Sequence, residues 1–255
     1  MEKEWFKEFF DKIYYETYRP LESEERNKAE AEFIVKVLDL PKGSKVLDLG
    51  CGYGRHAVYL AKWGYKVTCY DLSKYLLKKA RERAKEFKVK MEFVRGDMRK
   101  LNYSNTFNGV YMAFTTFGYF SDKENFKLLK KISKALKEKG KLLIDTWNKF
   151  RTISHFYSQG GTEVYRWWKS GDYIILDKTR FDMEKEAIIN IRIFIKDGKI
   201  ICERKFEVIA YSFKELKNML NRAGLVIVKA YGNYQGEAFQ MNSRRLVIVA
   251  EKYQP

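Results

Sequence analysis

The chain has 255 residues, 45% hydrophobic and 16% aromatic, enough for one domain with a large core and room for a sizeable insertion. No apolar run approaches the length of a membrane span, and the acidic, aromatic start lacks the basic and apolar regions of a signal peptide, so a cytoplasmic protein with no membrane partner is expected. The net charge of +17 invites a nucleic-acid partner, but residues 1–42 are net acidic and much of the excess lies in two lysine-rich stretches, 74–90 and 123–141. In the fold expected below those stretches cover opposite faces of a sheet, which favours a solvated basic surface over a nucleic-acid footprint.

In chain order, residues 4–18 place Trp5, Phe6, Phe9, Phe10, Ile13, Tyr14 and Tyr18 on one helical face, predicted to pack on the protein's own body. A second helix spans 23–38 with Ser23 as N-cap, and Pro41-Lys42-Gly43 ends it. Strands at 45–49, 66–70, 91–94, 109–114 and 141–146 then alternate with helices at 55–63, 73–87 and 122–137. This alternation builds a parallel sheet with helices on both faces. Residues 163–168, 173–182, 187–196 and 199–209 read as four strands with turns at 184–186 and 197–199, an antiparallel layer inserted into the domain. A helix at 212–223 and strands at 225–231 and 244–250 close the chain. The expected division is one domain from 1–150 and 210–255, with 1–42 as a helical cover, and an insertion at 151–209.

The segment Val46-Leu47-Asp48-Leu49-Gly50-Cys51-Gly52-Tyr53-Gly54 runs a buried strand into glycines at alternate positions and then a helix. Glycine there lets the backbone turn tightly and leaves no side chain between backbone and ligand, and the helix behind points free N–H groups at the turn. Asp71 ends the next strand about twenty residues on, where an acid meets a ribose hydroxyl pair in such folds. The dinucleotide fingerprint needs its third glycine one place later, where this chain has Arg55. Asp48 beneath the loop suits a cationic ligand better than a pyrophosphate; it either holds the loop amides or faces an ammonium. Cys51, Cys69 and Cys202 are far apart and the histidines number two, His56 and His155, so no metal site is expected. His56, in the first turn of a helix, reads as a packed or capping residue.

The run VLDLGCGYGRHA, with VTCYDLS, GDMRKL, FGYFSD and KGKLLIDTW, resembles the class I S-adenosylmethionine-dependent methyltransferases over about residues 26–150, and the resemblance resumes at YSFKELKNMLNRAGL and the closing strands. It implies a Rossmann-like, seven-stranded, mostly parallel sheet and S-adenosylmethionine as cofactor, leaving S-adenosylhomocysteine as product. Gly50, Gly52 and Gly54 would approach the methionine and ribose portions, Asp71 the ribose hydroxyls, Asp97 and Met98 the adenine, and Phe114, Thr115 and Thr116 the sulfonium. Tyr14, Tyr18 and Arg19 of the N-terminal segment would fold over the cofactor, with Arg19 reaching its carboxylate.

The acceptor is less legible. Asn/Asp-Pro-Pro-aromatic, the mark of base-amine methylation, is absent after the fourth strand, where the chain reads Thr115-Thr116-Phe117-Gly118-Tyr119. The inserted layer resembles the lid of small-molecule methyltransferases, including sugar-amine and glycine N-methyltransferases, which implies methyl transfer to a nitrogen or oxygen of a small molecule. Tyr119, Trp147, Asn148 and His155 are the candidate acceptor-binding residues, with Tyr119 and His155 as catalytic candidates. Only His155 among these has a reference pKa suited to accepting a proton near neutrality. Two other readings remain: an RNA or protein methyltransferase using the basic surface, and a non-catalytic cofactor-binding subunit. The oligomeric state is not written in the sequence.

Overall fold

The computed structural model describes residues 4–161 and 163–253; residues 1–3 of the expected cover, 162 of the insertion and 254–255 of the domain lie outside them. Three helices open the chain: α1 (Phe6–Phe9), α2 (Lys12–Tyr18) and α3 (Glu24–Leu38). The single helix expected over 4–18 is therefore two. Phe10 leaves helical geometry, and Asp11 caps α2 by accepting from the Tyr14 N–H at 3.0 Å. The aromatic periodicity runs across this break, which is why it reads as one helix.

The α/β body follows as β1 (Lys45–Leu49), α4 (Ala57–Lys62), β2 (Lys66–Asp71), α5 (Lys74–Glu86), β3 (Glu92–Arg95), β4 (Phe107–Met112), α6 (Asp122–Ala135) and β5 (Leu136–Trp147). Helix α6 stops two residues before its expected end. Leu136 is already extended and pairs with Phe107, and the strand bulges through 137–140 before regular pairing resumes at Lys141. Helix α7 (Lys149–Ser158) was not anticipated; Asn148 caps it by accepting from the Phe150 N–H. Then come β6 (Glu163–Ser170), β7 (Tyr173–Asp182), β8 (Ala187–Lys196), β9 (Lys199–Ile209), α8 (Phe213–Arg222), β10 (Leu225–Tyr231) and β11 (Arg245–Lys252).

Seven strands form one sheet in the order β10-β11-β5-β4-β1-β2-β3. Strands β1 to β5 run parallel, and β11 is antiparallel to both neighbours. Alternate side chains serve opposite faces. Leu47, Val110, Leu142 and Ile248 meet α6 and α8, whereas Val46, Tyr111, Leu143 and Val249 meet α3, α4 and α5. The lysine-rich α5 and α6 thus cover opposite faces, as the charge argument requires. The chain leaves β1 toward β3 and returns to β4 on β1's other side. That switch point opens a crevice outside the carboxyl ends of the strands, the place where open α/β sheets bind ligands.

Strands β6 to β9 form a separate antiparallel sheet. Asp197-Gly198 joins β8 to β9 with both residues at positive φ, the geometry of a tight hairpin turn. The sheet packs on the N-terminal helices: Tyr173, Ile175 and Phe194 enclose Ile13, Ser170 donates to the Thr17 carbonyl at 2.6 Å, and Arg204 meets Asp11 at 3.1 Å. Buried Arg192 forks onto Asp177 with two 2.7 Å bonds and donates to the Tyr18 hydroxyl. Among the described residues no helix is long and apolar enough to cross a membrane.

Candidate active site

The crevice is a cavity of about 950 Å³, the open space at its mouth included. It runs across the strand ends from Gly96, Asp97 and Met98 after β3, past Asp71 on β2 and the glycine loop after β1, to Phe114 after β4. Phe6, Phe10 and Tyr14 roof it, with Tyr119 beside them. Trp5 meets Tyr119 edge-on at 4.8 Å and Phe10 stacks on it at 5.9 Å.

The glycine loop is held from behind. Gly50 and Cys51 N–H groups donate to the Tyr70 carbonyl, Gly52 N–H to Asp71 at 2.8 Å, and Gly54 N–H to the Cys51 carbonyl. Gly50 has φ +80°, and a side chain there would strike Thr116. Gly52 has φ +55° and open space above it, with Leu76 no nearer than 4.0 Å, so this backbone is bare to a ligand. Gly54 serves packing, its missing side chain allowing Ala80 of α5 to approach.

Asp71 accepts from Gly52 and Ser73, and burial outweighs these bonds to raise its carboxyl above the usual range. Asp97 caps the turn at Met98–Lys100 and is forked by Arg99 at 2.6–3.1 Å. Burial alone would raise Asp97, but the Arg99 bonds hold it low. Asp48 is 4% exposed and lines the cavity. The loop amides named above are engaged by other acceptors, so Asp48 does not hold them. Burial pushes its carboxyl up to about 7.

At the β4 end, Arg55 and His56 meet Glu30. Arg55 donates at 2.5 Å and the His56 ring nitrogen lies at 2.9 Å. Burial would raise Glu30, but His56 and Arg55 overcome it and hold the carboxyl at about 2. Burial and the Arg55 charge lower His56 to about 4, leaving it neutral. Phe114 and Thr115 both have left-handed backbones, at φ 63° and 64°. Asp145, fully buried on β5, receives the Phe114 N–H at 2.7 Å, the Tyr234 hydroxyl at 2.8 Å and Arg245 Nε at 2.6 Å; Arg245 also donates to Thr115.

The cavity brings together Tyr14, Asp48, Gly50, Gly52, Asp71, Asp97, Met98, Phe114, Thr116 and Tyr119. It does not include Tyr18, which stacks on Tyr14 at 4.3 Å, or Thr115, whose hydroxyl is taken by Arg245. Arg19 pairs with Glu24 at 2.8 Å beside a separate charged depression. Trp147 packs toward Phe206, and Asn148 donates to the Met241 and Ser243 carbonyls. His155 lies on α7, 2.6 Å from Arg166. No residue of β6 to β9 lines the cavity; Trp167 and Tyr165 face solvent, and Trp168 and Tyr173 pack toward α2. Sequence reading missed Glu22, Arg55 and His56 as cavity residues. The one available signal was Arg55's position directly after the third glycine. His155→Ala is expected to leave turnover within about twofold of wild type in a steady-state assay; a tenfold loss would return His155 to the chemistry.

The strand order, switch-point cavity and glycine loop define a class I methyltransferase fold. The solved CcbJ methyltransferase from Streptomyces caelestis superposes with a TM-score of 0.78 at 22% identity, over 91% of this chain and 98% of that one. Residues 46–140 match the family described as a methyltransferase domain. The chain is 29% identical to cypemycin N-terminal methyltransferase of a Streptomyces species, over 82% of this chain and 84% of the relative. It is 28% identical to glycine/sarcosine N-methyltransferase of Halorhodospira halochloris, over 89% and 82%. Residues 46–140 thus match a methyltransferase domain, set in a fold shared with solved methyltransferases.

Proposed function

We propose that the protein transfers the methyl group of S-adenosylmethionine to an amine nitrogen of a small molecule. The observation that carries this reading is the roof. Helices α1 and α2 cover the cavity, and the antiparallel sheet braces them from outside, so a compact acceptor fits and a nucleic-acid duplex does not. The names of the two relatives, both N-methyltransferases of compact amines or a peptide terminus, support nitrogen.

The bound cofactor supplies a methyl already activated by its positive sulfur. This chain's part is to align donor and acceptor and to exclude water. Tyr119 keeps its proton at neutral pH, because burial raises its hydroxyl; it can orient an amine through a hydrogen bond but not take its proton. A neutral amine attacks through its lone pair and needs no early base, in keeping with a cavity where His56 is bonded to Glu30. Asp71 would hold the ribose hydroxyls, and Asp48 would face the cofactor's positive charge.

Labelled S-adenosylmethionine offered with a panel of amino sugars, amino acids and short peptides, and separately with RNA, tests the reading. Label in a small amine supports it, whereas label in RNA alone overturns it. Asp71→Ala is expected to weaken S-adenosylhomocysteine binding by about tenfold or more in calorimetry, since it removes a charge-assisted acceptor and frees the Gly52 amide.

A further inference from the structure

Arg55 is 6% exposed and, among the described residues that line the cavity, is the one arginine or lysine. Its Nη1 is satisfied by Glu30 and by Asn27 at 2.8 Å. Its Nη2 is buried and has no hydrogen-bond partner in the protein. A charged donor left so is costly. The guanidinium carbon lies 4.4 Å from the centre of the Phe114 ring. Glu22 also lines the cavity, 3.7 Å from Arg55 Nε, and receives the Tyr53 hydroxyl. A buried cation and a buried carboxylate thus stand side by side at one end of the cavity.

We propose that Arg55, with Glu22 beside it, is the receptor for the α-amino-carboxylate end of the cofactor's methionyl group. The inference rests on the methyltransferase reading and takes the place of Arg19, whose guanidinium is spent on Glu24 and the Glu22 carbonyl. Direction along the cavity supports it. With the nucleoside at Asp97 and Asp71, the tail runs toward the β4 end, where Phe114 and Arg55 stand. The orphan Nη2 offers a charge-assisted bond to a carboxylate, and Glu22 makes the same corner receptive to the adjacent ammonium. A tail without a carboxylate would leave Nη2 with no acceptor.

Calorimetry with two probes tests this. S-adenosylhomocysteine carries the amino-carboxylate tail, and 5′-methylthioadenosine is the same nucleoside without it. Arg55→Gln is expected to weaken S-adenosylhomocysteine about 10- to 100-fold while leaving 5′-methylthioadenosine within about twofold. Unchanged S-adenosylhomocysteine affinity, or an equal loss for both probes, overturns the proposal. If Arg55→Gln does not fold, the wild-type protein decides through decarboxylated S-adenosylmethionine, which keeps sulfonium and ammonium. A loss of about tenfold or more relative to S-adenosylmethionine supports the assignment, and equal affinity overturns it. Retained 5′-methylthioadenosine binding without discrimination of the tail sinks this inference alone. Failure of the wild-type protein to bind any of these nucleosides sinks the methyltransferase reading with it.

Discussion

Asp145→Ala is expected to destabilise the protein by about 3–5 kcal/mol, because it breaks a buried ion pair and leaves the other charge without a partner. Arg245 is 17% exposed at its side chain, Asp145 0%. The Phe114 N–H and Tyr234 hydroxyl lose their acceptor at the same stroke. For a chain of this size, each kcal/mol moves the melting temperature by roughly 2–4 °C, so a fall of about 10 °C is expected in a thermal melt. The loss extends to the site. Two consecutive non-glycine residues in left-handed conformation are costly, and persist because the surroundings over-determine them. With Asp145 gone, Phe114 and Thr115 are expected to relax, and the wall under Arg55 shifts with them. Asp145→Asn keeps one acceptor oxygen and should fall between the two. A melt of Asp145→Ala within 2 °C of wild type would show that the network carries little.

What the sequence discloses here is what local chain geometry decides. The bounds of β7, β8 and β9 are readable because apolar alternation is interrupted by Asp197-Gly198 and the Glu184–Glu186 turn. The glycine loop and Asp71 are readable because backbone conformation and a fixed offset along two adjacent strands place them together. The seven-strand sheet follows from the same alternation. By contrast, Arg55 meets Glu30 across 25 residues and Asp145 meets Arg245 across 100; nothing local marks either pair. Asp145 in Leu-Leu-Ile-Asp-Thr-Trp reads as an acid in an apolar strand. Phe114-Thr115 carries no glycine to advertise its left-handed backbone. Helix α7 has neither proline nor glycine at its start, and its Asn148 cap is recognisable only once the strand before it is known to end. The inserted sheet is legible, but its place against α1 and α2, and not directly over the cavity, depends on buried Arg192, whose partners Asp177 and Tyr18 lie 15 and 174 residues away.

Binding of S-adenosylmethionine is expected to strengthen as pH rises toward 7 and to level off above it. Burial pushes the Asp48 carboxyl up to about 7, opposed by the Tyr111 hydroxyl and by Arg55, with the nearby Asp71 carboxylate adding to the rise. The folded value lies above the unfolded one, so the empty protein holds this proton throughout the interval between them. Asp48 therefore contributes stability at acid pH that is lost as pH rises through about 7. A net-positive ligand in the cavity favours the ionised carboxylate and must displace the proton to gain it. Below pH 7 that displacement weakens binding by up to about tenfold per pH unit, and above it there is no proton to displace. Of the other groups on the wall, Glu30 and His56 lie at about 2 and about 4 and do not change between pH 5.5 and 8.5. Glu22 and Asp71 are raised by burial and could add to the slope. Asp48→Asn separates them: it cannot ionise, so its affinity curve should be flatter over this range and lie about 10-fold or more below wild type at pH 8. S-adenosylhomocysteine, whose sulfur is neutral, should show a shallower dependence than S-adenosylmethionine in the wild-type protein. Calorimetric titrations at four pH values measure all three curves. An Asp48→Asn curve as steep as wild type would move the effect to Glu22 or Asp71 and remove Asp48 from the cofactor's charge.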